Sequence, residues 1–422
     1  MSARTRELWG IVVAGLIACV ALASVTIARE PEIGGRALTW GALFLGLYVV
    51  AHVVARRTVP YADGALLPLT AVLTAFGLAS IYGLDPGDGG RQALWVAVGV
   101  GVLATTLIVL RHDYRVLESY RYLFGVAAVG LLLLPSVPGL GERVTGVRLW
   151  VDLGWIQFQP GELAKIFLIV FLAGYLREKR EVLARGRLKD FGPLVVIWGA
   201  AMLVVVQTND LGSALLNFGI FLAMLYVATG RVLFVAAGLA LFAGGAAALY
   251  NAIGHVQERV TSWLDPWDPE RIYDESYQLV QSLYSIANGG FGGTGLGQGT
   301  FASTDGTELI PALRTDFIFS AIAQELGLVG AAALLLVFML FVVRGMRVAL
   351  QAQDGFSKLV AAGLTFGFAL QTFIIVGGVL RVVPLTGITL PFVSYGGTSI
   401  VANFLLLAGL LLISNRANTP RV

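Results

Sequence analysis

Three places in this sequence set ionisable side chains into or against long apolar runs. Glu162 and Lys165, in Gln159-Pro160-Gly161-Glu162-Leu163-Ala164-Lys165, stand three residues apart, so they share one helix face and can pair. Asp210 lies in Gln207-Thr208-Asn209-Asp210-Leu211-Gly212, between two apolar runs. Asp316 follows Arg314 and Thr315 and opens a third run with Phe317-Ile318-Phe319. An ionised carboxylate can take the proton of an attacking hydroxyl, and arginine or lysine can hold the charge of departing phosphates. Asp316 is the candidate for the first task; Arg148, Lys165, Arg259, Arg314 and Arg381 are candidates for the second. Plainer readings stand beside these. Glu162 and Lys165 could be an ion pair that orients two helices, and Asp210 and Asp316 could be N-caps. Glu325, nine residues beyond Asp316, would lie about 13.5 Å further along a helix, which suits a structural role better than a carboxylate pair.

Composition dictates the elements that must position these groups. Of 422 residues, 57% are hydrophobic and 13% charged, the latter about half the usual ~25%. So few charges cannot coat a soluble surface of this size. The chain is too apolar for disorder, a net charge of +3 gives no footing for nucleic acid, and the lone Cys19 excludes a disulfide framework. An all-α polytopic membrane protein is left. At about 20 mostly apolar residues per crossing, twelve spans are predicted near 9–28, 37–55, 65–84, 92–110, 122–138, 159–176, 192–207, 212–229, 232–250, 317–343, 359–379 and 398–414. Arg4 and Arg6 before an apolar run ending Ala21-Leu22-Ala23 resemble a signal peptide, and Leu16-Ile17-Ala18-Cys19 an acylation pattern. With eleven spans following, a first membrane helix is the expectation.

Alternating these spans from an inside N-terminus puts 19 of the 29 Lys and Arg residues on the inside, among them Arg111, Arg115, Arg177, Arg185, Arg187, Lys189 and Arg344. That bias is the mark of cytoplasmic loops, so both termini are expected in the cytoplasm. One connection is long: residues 251–316 lie outside and carry nine carboxylates, ending at Asp316. Within it, residues 276–287 place Tyr277, Val280, Tyr284 and Ala287 on one face, which predicts an amphipathic helix on the membrane surface. Residues 290–295 match G-x-G-x-x-G, but no strand precedes and no βαβ unit surrounds them, so a nucleotide site is rejected. Seven glycines within 289–299 instead suit sharp turns or close backbone approach, or a plain flexible linker.

Outside the cytoplasm neither ATP nor NADH is at hand, so a transferase there needs a substrate that carries its own activation. A lipid-linked sugar pyrophosphate qualifies, because its leaving group departs without protonation and the enzyme supplies one base and some positive charge. Chemistry permits this reading without preferring it to transport.

The motifs do discriminate. Val147-Arg148-Leu149-Trp150-Val151-Asp152-Leu153-Gly154 followed by Phe158-Gln159-Pro160-Gly161-Glu162-Leu163-Ala164-Lys165 resembles the SEDS family, to which RodA and FtsW belong. Asn209-Asp210-Leu211-Gly212-Ser213 is similar to its P-D-L/F-G-T/S turn, with Asn209 in place of Pro. Thr315-Asp316-Phe317-Ile318-Phe319 and Glu325-Leu326-Gly327 are similar to its T/S-D-F-I-F…E-E-L-G segment, with Gln324 for the first Glu. Pro384-Leu385-Thr386-Gly387 and Pro391-Phe392-Val393-Ser394-Tyr395-Gly396-Gly397 resemble its last signature. The likeness covers about residues 65–415. It implies a ten-span peptidoglycan glycosyltransferase that polymerises lipid II into a nascent glycan strand beside a class B penicillin-binding protein. Residues 1–60 are then an N-terminal addition of two spans before a core of 61–422, an arrangement similar to RodA-type members. By the same resemblance Asp316 is catalytic; Arg148, Glu162, Lys165, Asp210, Arg314, Ser394 and Tyr395 are further expected to bind substrate. A divalent cation, Mg or Mn, is an expected cofactor near Asp210, and no nucleotide is needed. Membrane lipids are the surroundings. A lipid II flippase and a non-catalytic scaffold of the elongation or division complex are the alternatives.

Overall fold

A long apolar run satisfies its backbone groups in a bilayer as a helix, and each predicted run folds as one. The computed structural model describes residues 3–29, 35–144, 147–154, 157–184, 192–208, 210–303 and 308–420. In chain order the helices are α1 (Ala3–Arg29), α2 (Gly35–Thr58), α3 (Leu66–Leu84), α4 (Pro86–Leu110), the one-turn α5 (Val116–Ser119), α6 (Arg121–Leu133), α7 (Pro160–Ala184), α8 (Gly192–Gln207), α9 (Leu211–Thr229), α10 (Val232–Ala252), α11 (Gly254–Leu264), α12 (Tyr277–Gly289), α13 (Ile318–Gln351), α14 (Gly355–Val379) and α15 (Gly397–Asn418). All but α5, α11 and α12 correspond to the twelve predicted spans. Nine are long and apolar enough to cross by length and composition, whereas α6 and α8 are shorter apolar helices and α7 carries charge in its first and last turns. Arg185, Arg187 and Lys189 lie outside the described residues.

Local chemistry sets the boundaries. Asp85, Asp210 and Asp354 cap α4, α9 and α14, their side chains accepting from the amides of Asp88, Ser213 and Ser357 at 2.9, 3.0 and 2.9 Å. Pro160 begins α7 where no amide donor is needed. The predominantly helical chain has one addition that the sequence reading lacked. The strands β1 (Gly141–Val144), β2 (Val147–Asp152) and β3 (Gln157–Phe158) form a three-stranded antiparallel sheet. Val147, Leu149 and Val151 alternate with Arg148, Trp150 and Asp152, a period-2 pattern that suits a strand.

Polar contacts sort the molecule into two ends. At one, Arg4 donates to Pro60 O (3.2 Å), Asn415 accepts from the Tyr61 amide (2.8 Å), and Arg416 pairs with Asp113 (3.3 Å). Both terminal helices therefore end on this side, and the number of crossings is even. At the other end Arg314 pairs with Asp88, and the Gln159 amide donates to Thr398 (3.0 Å). The core between them is centred on α14 and α15, with the rings of Phe341, Phe368, Phe392 and Phe404 in an unbroken chain of contacts.

The two added helices pack as part of the bundle. Tyr48 OH lies 2.6 Å from Thr74 Oγ1, joining α2 to α3. Cys19 sits midway along α1 against Gly41, where a Cβ would stand 2.3 Å from its sulfur, so its position is a helix contact. Near the termini, buried Glu7 takes hydrogen bonds from Arg4 and from His52 (2.7 Å).

The helix expected over 276–287 forms as α12 (Tyr277–Gly289), with Val280 of the expected face buried. The face of α12 that is buried carries Leu279, Ser282 and Ser285, and it packs against α13: Ser282 Oγ lies 2.6 Å from Ser320 Oγ, and Ser285 donates to Gln324 Oε1 at 2.6 Å. Tyr284 and Ala287 are exposed. The helix is thus seated on protein through its small polar stripe, because each hydroxyl finds a partner there. The glycine run is likewise no slack linker. The helical hydrogen-bond ladder of α13 breaks at Gly327 (φ 65°), and residues 289–295 lie in the break. The Thr294 and Gly295 amides donate to Gln324 O and Glu325 O, both at 2.9 Å. A Cβ at Gly293 would stand 2.1 Å from Glu325 O, so only glycine allows this approach. Leu296 and Gly297 then reach α1 beside Leu22 and Val25.

Candidate active site

Residues 384–396 join α14 to α15 without forming a helix, and they gather the intramembrane charges around them. Lys165 Nζ donates to Glu162 Oε2 at 2.9 Å, so the i, i+3 pair forms as expected. The same ammonium donates to Gln371 Oε1 of α14 at 2.6 Å, and Gln371 Nε2 donates to Thr389 O at 2.8 Å. Thr389 Oγ1 lies 3.5 Å from Glu162 Oε1 and 2.8 Å from Ser399 Oγ. Both ions are buried, and hydrogen bonds to neutral groups add to their mutual attraction, which is the condition under which a buried pair is tolerated.

Asp316 is presented by a strained turn. Ala312 adopts φ 58°, and its carbonyl accepts from the amides of Thr315, Asp316 and Phe317 at 3.1, 3.0 and 3.3 Å. Phe317 takes the cap position of α13, so the N-cap reading of Asp316 does not hold. Its carboxyl points towards Gly387 (φ 72°), where a Cβ would stand 3.4 Å from Oδ2. Ser394 Oγ donates to Thr315 O at 2.5 Å and accepts from the Leu390 amide at 2.8 Å, which clasps the 384–396 segment to this turn. The three non-glycine residues with positive φ among those described, Ala312, Arg381 and Phe392, all flank the site. Such strain persists where surrounding structure over-determines it.

Arg259 of α11 supplies the central positive charge. Its Nη1 donates to Leu385 O and Thr386 O at 3.4 and 3.2 Å, while Asp210 and Asp316 act on it electrostatically. Burial lowers the Arg259 pKa, and the two carboxylates oppose that. Burial pushes the Asp316 carboxyl up to about 6, against the pull of the Thr315 hydroxyl and the Arg259 charge. Asp210 is also raised, chiefly by burial; its bonds from Ser213 pull it down, Glu162 pushes it up and Arg259 pulls it down. The cap reading of Asp210 therefore holds alongside membership of the charged cluster.

The remaining expected residues divide. Arg314, expected to bind substrate, pairs with Asp88 and Glu308 and lies 3.7 Å from Asp85. Those two aspartates sit at the N-terminus of α4, where negative charge is favoured, and they draw the guanidinium in. Ser394 is buried with its hydroxyl bonded on both sides, which helps shape the site. Tyr395 donates its amide to Arg314 O at 2.9 Å, and its phenol interacts with Arg91. Arg148 is exposed on β2. Arg381 donates to Trp263 O at 2.7 Å and stacks 5.3 Å from the Trp267 ring, which secures the end of α11. Glu325 accepts from the Gly297 amide at 3.1 Å, a structural role as expected. Asn209 lies outside the described residues. Among the described residues no three His, Cys, Asp or Glu side chains gather as a metal cage.

Gln371, Thr389 and Ser399 were absent from the sequence reading, and Arg259 appeared only as one of five cations. An amide inside the apolar run 359–379 was the available signal for Gln371. Nothing local marks Arg259, because its partners are 49 and 57 residues away in sequence (259 to 210 and 316).

Comparison with known proteins agrees with the motif order. The FtsW, RodA and SpoVE family, described as cell cycle protein, matches residues 65–419. Peptidoglycan glycosyltransferase RodA of Mycobacterium tuberculosis is 39% identical over 439 aligned residues, covering 99% of this chain and 92% of that protein. A chain from a structure of a peptidoglycan synthase complex, described as coordinating polymerization and crosslinking, aligns with TM-score 0.71 and 27% identity over 85% of this chain and 99% of its own. The rod shape determining protein RodA of Thermus thermophilus aligns with TM-score 0.61 and 26% identity over 85% and 98%. By motif order, fold and sequence likeness together, this polytopic membrane protein belongs to the FtsW/RodA/SpoVE family.

Proposed function

We propose that the chain is a peptidoglycan glycosyltransferase that extends glycan strands from lipid II. The observation that carries this is Asp316: a carboxyl free of capping duty, raised to about 6, beside a half-buried arginine at the end opposite the termini. A general base is most effective with a pKa near the working pH. In the reaction, the acceptor sugar's 4-hydroxyl attacks C1 of the donor from the face opposite the pyrophosphate. The O4–C1 bond forms, the C1–O bond to pyrophosphate breaks with inversion, and the hydroxyl proton passes to an Asp316 oxygen. Arg259 faces the charge growing on the leaving group, while the Glu162–Lys165–Gln371 network holds the wall of the cavity. A Mg²⁺ or Mn²⁺ would be held by Asp210 with pyrophosphate oxygens and would neutralise the leaving group, since Mg²⁺ binds through one or two carboxylates plus substrate phosphates.

The Lys/Arg-rich end, which carries both termini, is assigned to the cytoplasm on the bias of its loops. A class B penicillin-binding protein is the proposed partner, supported by the likeness to a chain of a peptidoglycan synthase complex. The test reconstitutes the chain with such a partner in vesicles and supplies labelled lipid II to one leaflet at a time. Glycan chains that lengthen when lipid II is on the site's side support a polymerase. Label that crosses leaflets without any chain growth would assign a flippase instead.

A further inference from the structure

Far from the site, at the Lys/Arg-rich end, α4 and α6 stand on either side of an apolar groove floored by α7, α14 and α15. Its volume is about 330 Å³. Val109, Phe124, Val170, Leu364, Gly409 and Leu412 are among its walls, and its polar groups are confined to Thr105, Thr106 and Tyr114. Along α15 it runs from Leu405 to Ile413, eight residues or about 12 Å. That depth stays within one leaflet of a ~30 Å hydrocarbon core.

The groove continues into a second chamber of about 370 Å³ at the membrane edge, and Tyr114 and Leu412 line both. This chamber is lined by Arg111, His112, Gln353, Asn415 and Arg416 and by no carboxylate. Asp113 stands nearby but is already paired with Arg115 at 3.0 Å and Arg416 at 3.3 Å. Arg111 donates to His112 Nε2 at 3.0 Å. Tyr114 lies beside the junction, its hydroxyl held 2.6 Å from Ser357 Oγ. Single basic residues along a membrane edge are ordinary. An apolar slot of one-leaflet depth that opens into a basic chamber has the shape and charge of an acyl chain joined to an anionic headgroup.

We propose that this groove is a binding site for one anionic phospholipid of the leaflet on the Lys/Arg-rich side. An acyl chain lies along Val109, Phe124 and Gly409, and the phosphodiester lies against Arg111, His112 and Arg416. The site is separate from the sugar-transferring end and does not depend on that activity.

The full-length chain in nanodiscs of equal phosphatidylglycerol and phosphatidylcholine, released into mild detergent, tests this by native mass spectrometry of retained lipid. One phosphatidylglycerol is expected to remain in preference to phosphatidylcholine. Arg111→Gln with His112→Gln should cut that preference about fivefold, the effect of about one basic charge at headgroup depth, and leave neutral-lipid retention unchanged. Val109→Trp, which fills the mouth of the groove, should lower retention of both lipids; Gly409→Leu provides a second filling variant from the opposite wall. Equal retention of the two lipids by the unmodified chain, or a preference untouched by the Arg111/His112 change, would overturn the proposal as annular lipid only. Displacement by glycerol 3-phosphate alone would reassign the chamber to free phosphates. Displacement by a polyprenyl phosphate at a tenth of the phosphatidylglycerol concentration would reassign the groove to that lipid.

Discussion

Replacing Arg259 by Gln removes the charge that stands between Asp210 and Asp316 while keeping a donor for the carbonyls of Leu385 and Thr386. An opposite charge nearby lowers a carboxyl pKa by about 1–3 units. Burial and the Thr315 hydroxyl both outrank Arg259 at Asp316, so the low end, about 1 unit, is expected, equal to about 1.4 kcal/mol. Asp316 would then move from about 6 to about 7. Its ionised fraction at pH 7 would fall from about 90% to about 50%. The assay is the pH profile of kcat/KM for lipid II polymerisation, whose acid limb reports the base in the free enzyme. The variant's acid limb should shift up by about 1 unit, giving a loss of about twofold at pH 7 beyond any pH-independent loss, and Arg259→Lys should restore the limb. Loss of phosphate binding alone would lower activity by the same factor at every pH. An acid limb that stays in place would refute Arg259 as the charge that tunes Asp316.

Further outcomes follow from the same contacts. Because burial raises the Asp316 pKa in the folded chain, the folded state holds that proton more tightly, and stability falls as pH rises from about 4 through about 6. Asp316→Asn should therefore raise the unfolding temperature at pH 7.5, by up to the equivalent of about 3 kcal/mol, with the gain vanishing near pH 4; a thermal melt at both pH values checks this. Gln371→Leu strips Lys165 and the Thr389 carbonyl of a partner, and leaving such a group unsatisfied costs about 1–3 kcal/mol, to be read as a lowered melting temperature. Gly293→Ala should dislodge the 289–299 loop from α13, because the new Cβ would stand 2.1 Å from Glu325 O at a φ of 83°. Faster hydrogen exchange at the Thr294 and Gly295 amides would report it.

What the sequence disclosed was what neighbours along the chain decide. Glu162 and Lys165 meet because three residues separate them, and Asp210 caps α9 because Ser213 follows it at the right interval. The twelve helices follow from apolar runs whose backbone has no other way to be satisfied in lipid. The helical spacing over 276–287 was legible, but the seat of Ser282 and Ser285 was not, because their partners Ser320 and Gln324 lie on α13, 38 and 39 residues away. The 289–295 glycines declare backbone freedom but not the destination of that backbone, which is the break at Gly327 more than thirty residues away from Gly289 in sequence. Arg314 and Ser394 are legible as polar groups near the site, but their partners Asp88 and Thr315 are visible only once α4 and the 384–396 segment are folded together.

The Asp316 carboxylate is the group that takes the acceptor proton in the proposed reaction. The most direct measurement is glycan chain growth from lipid II by purified Asp316→Asn beside the unmodified chain, each with its partner and each shown to be folded by its melting temperature. Removal of a general base costs about 10²–10⁴-fold, so glycan output from the folded variant should fall by that order while lipid II still binds. Chain growth at the unmodified rate would contradict the account.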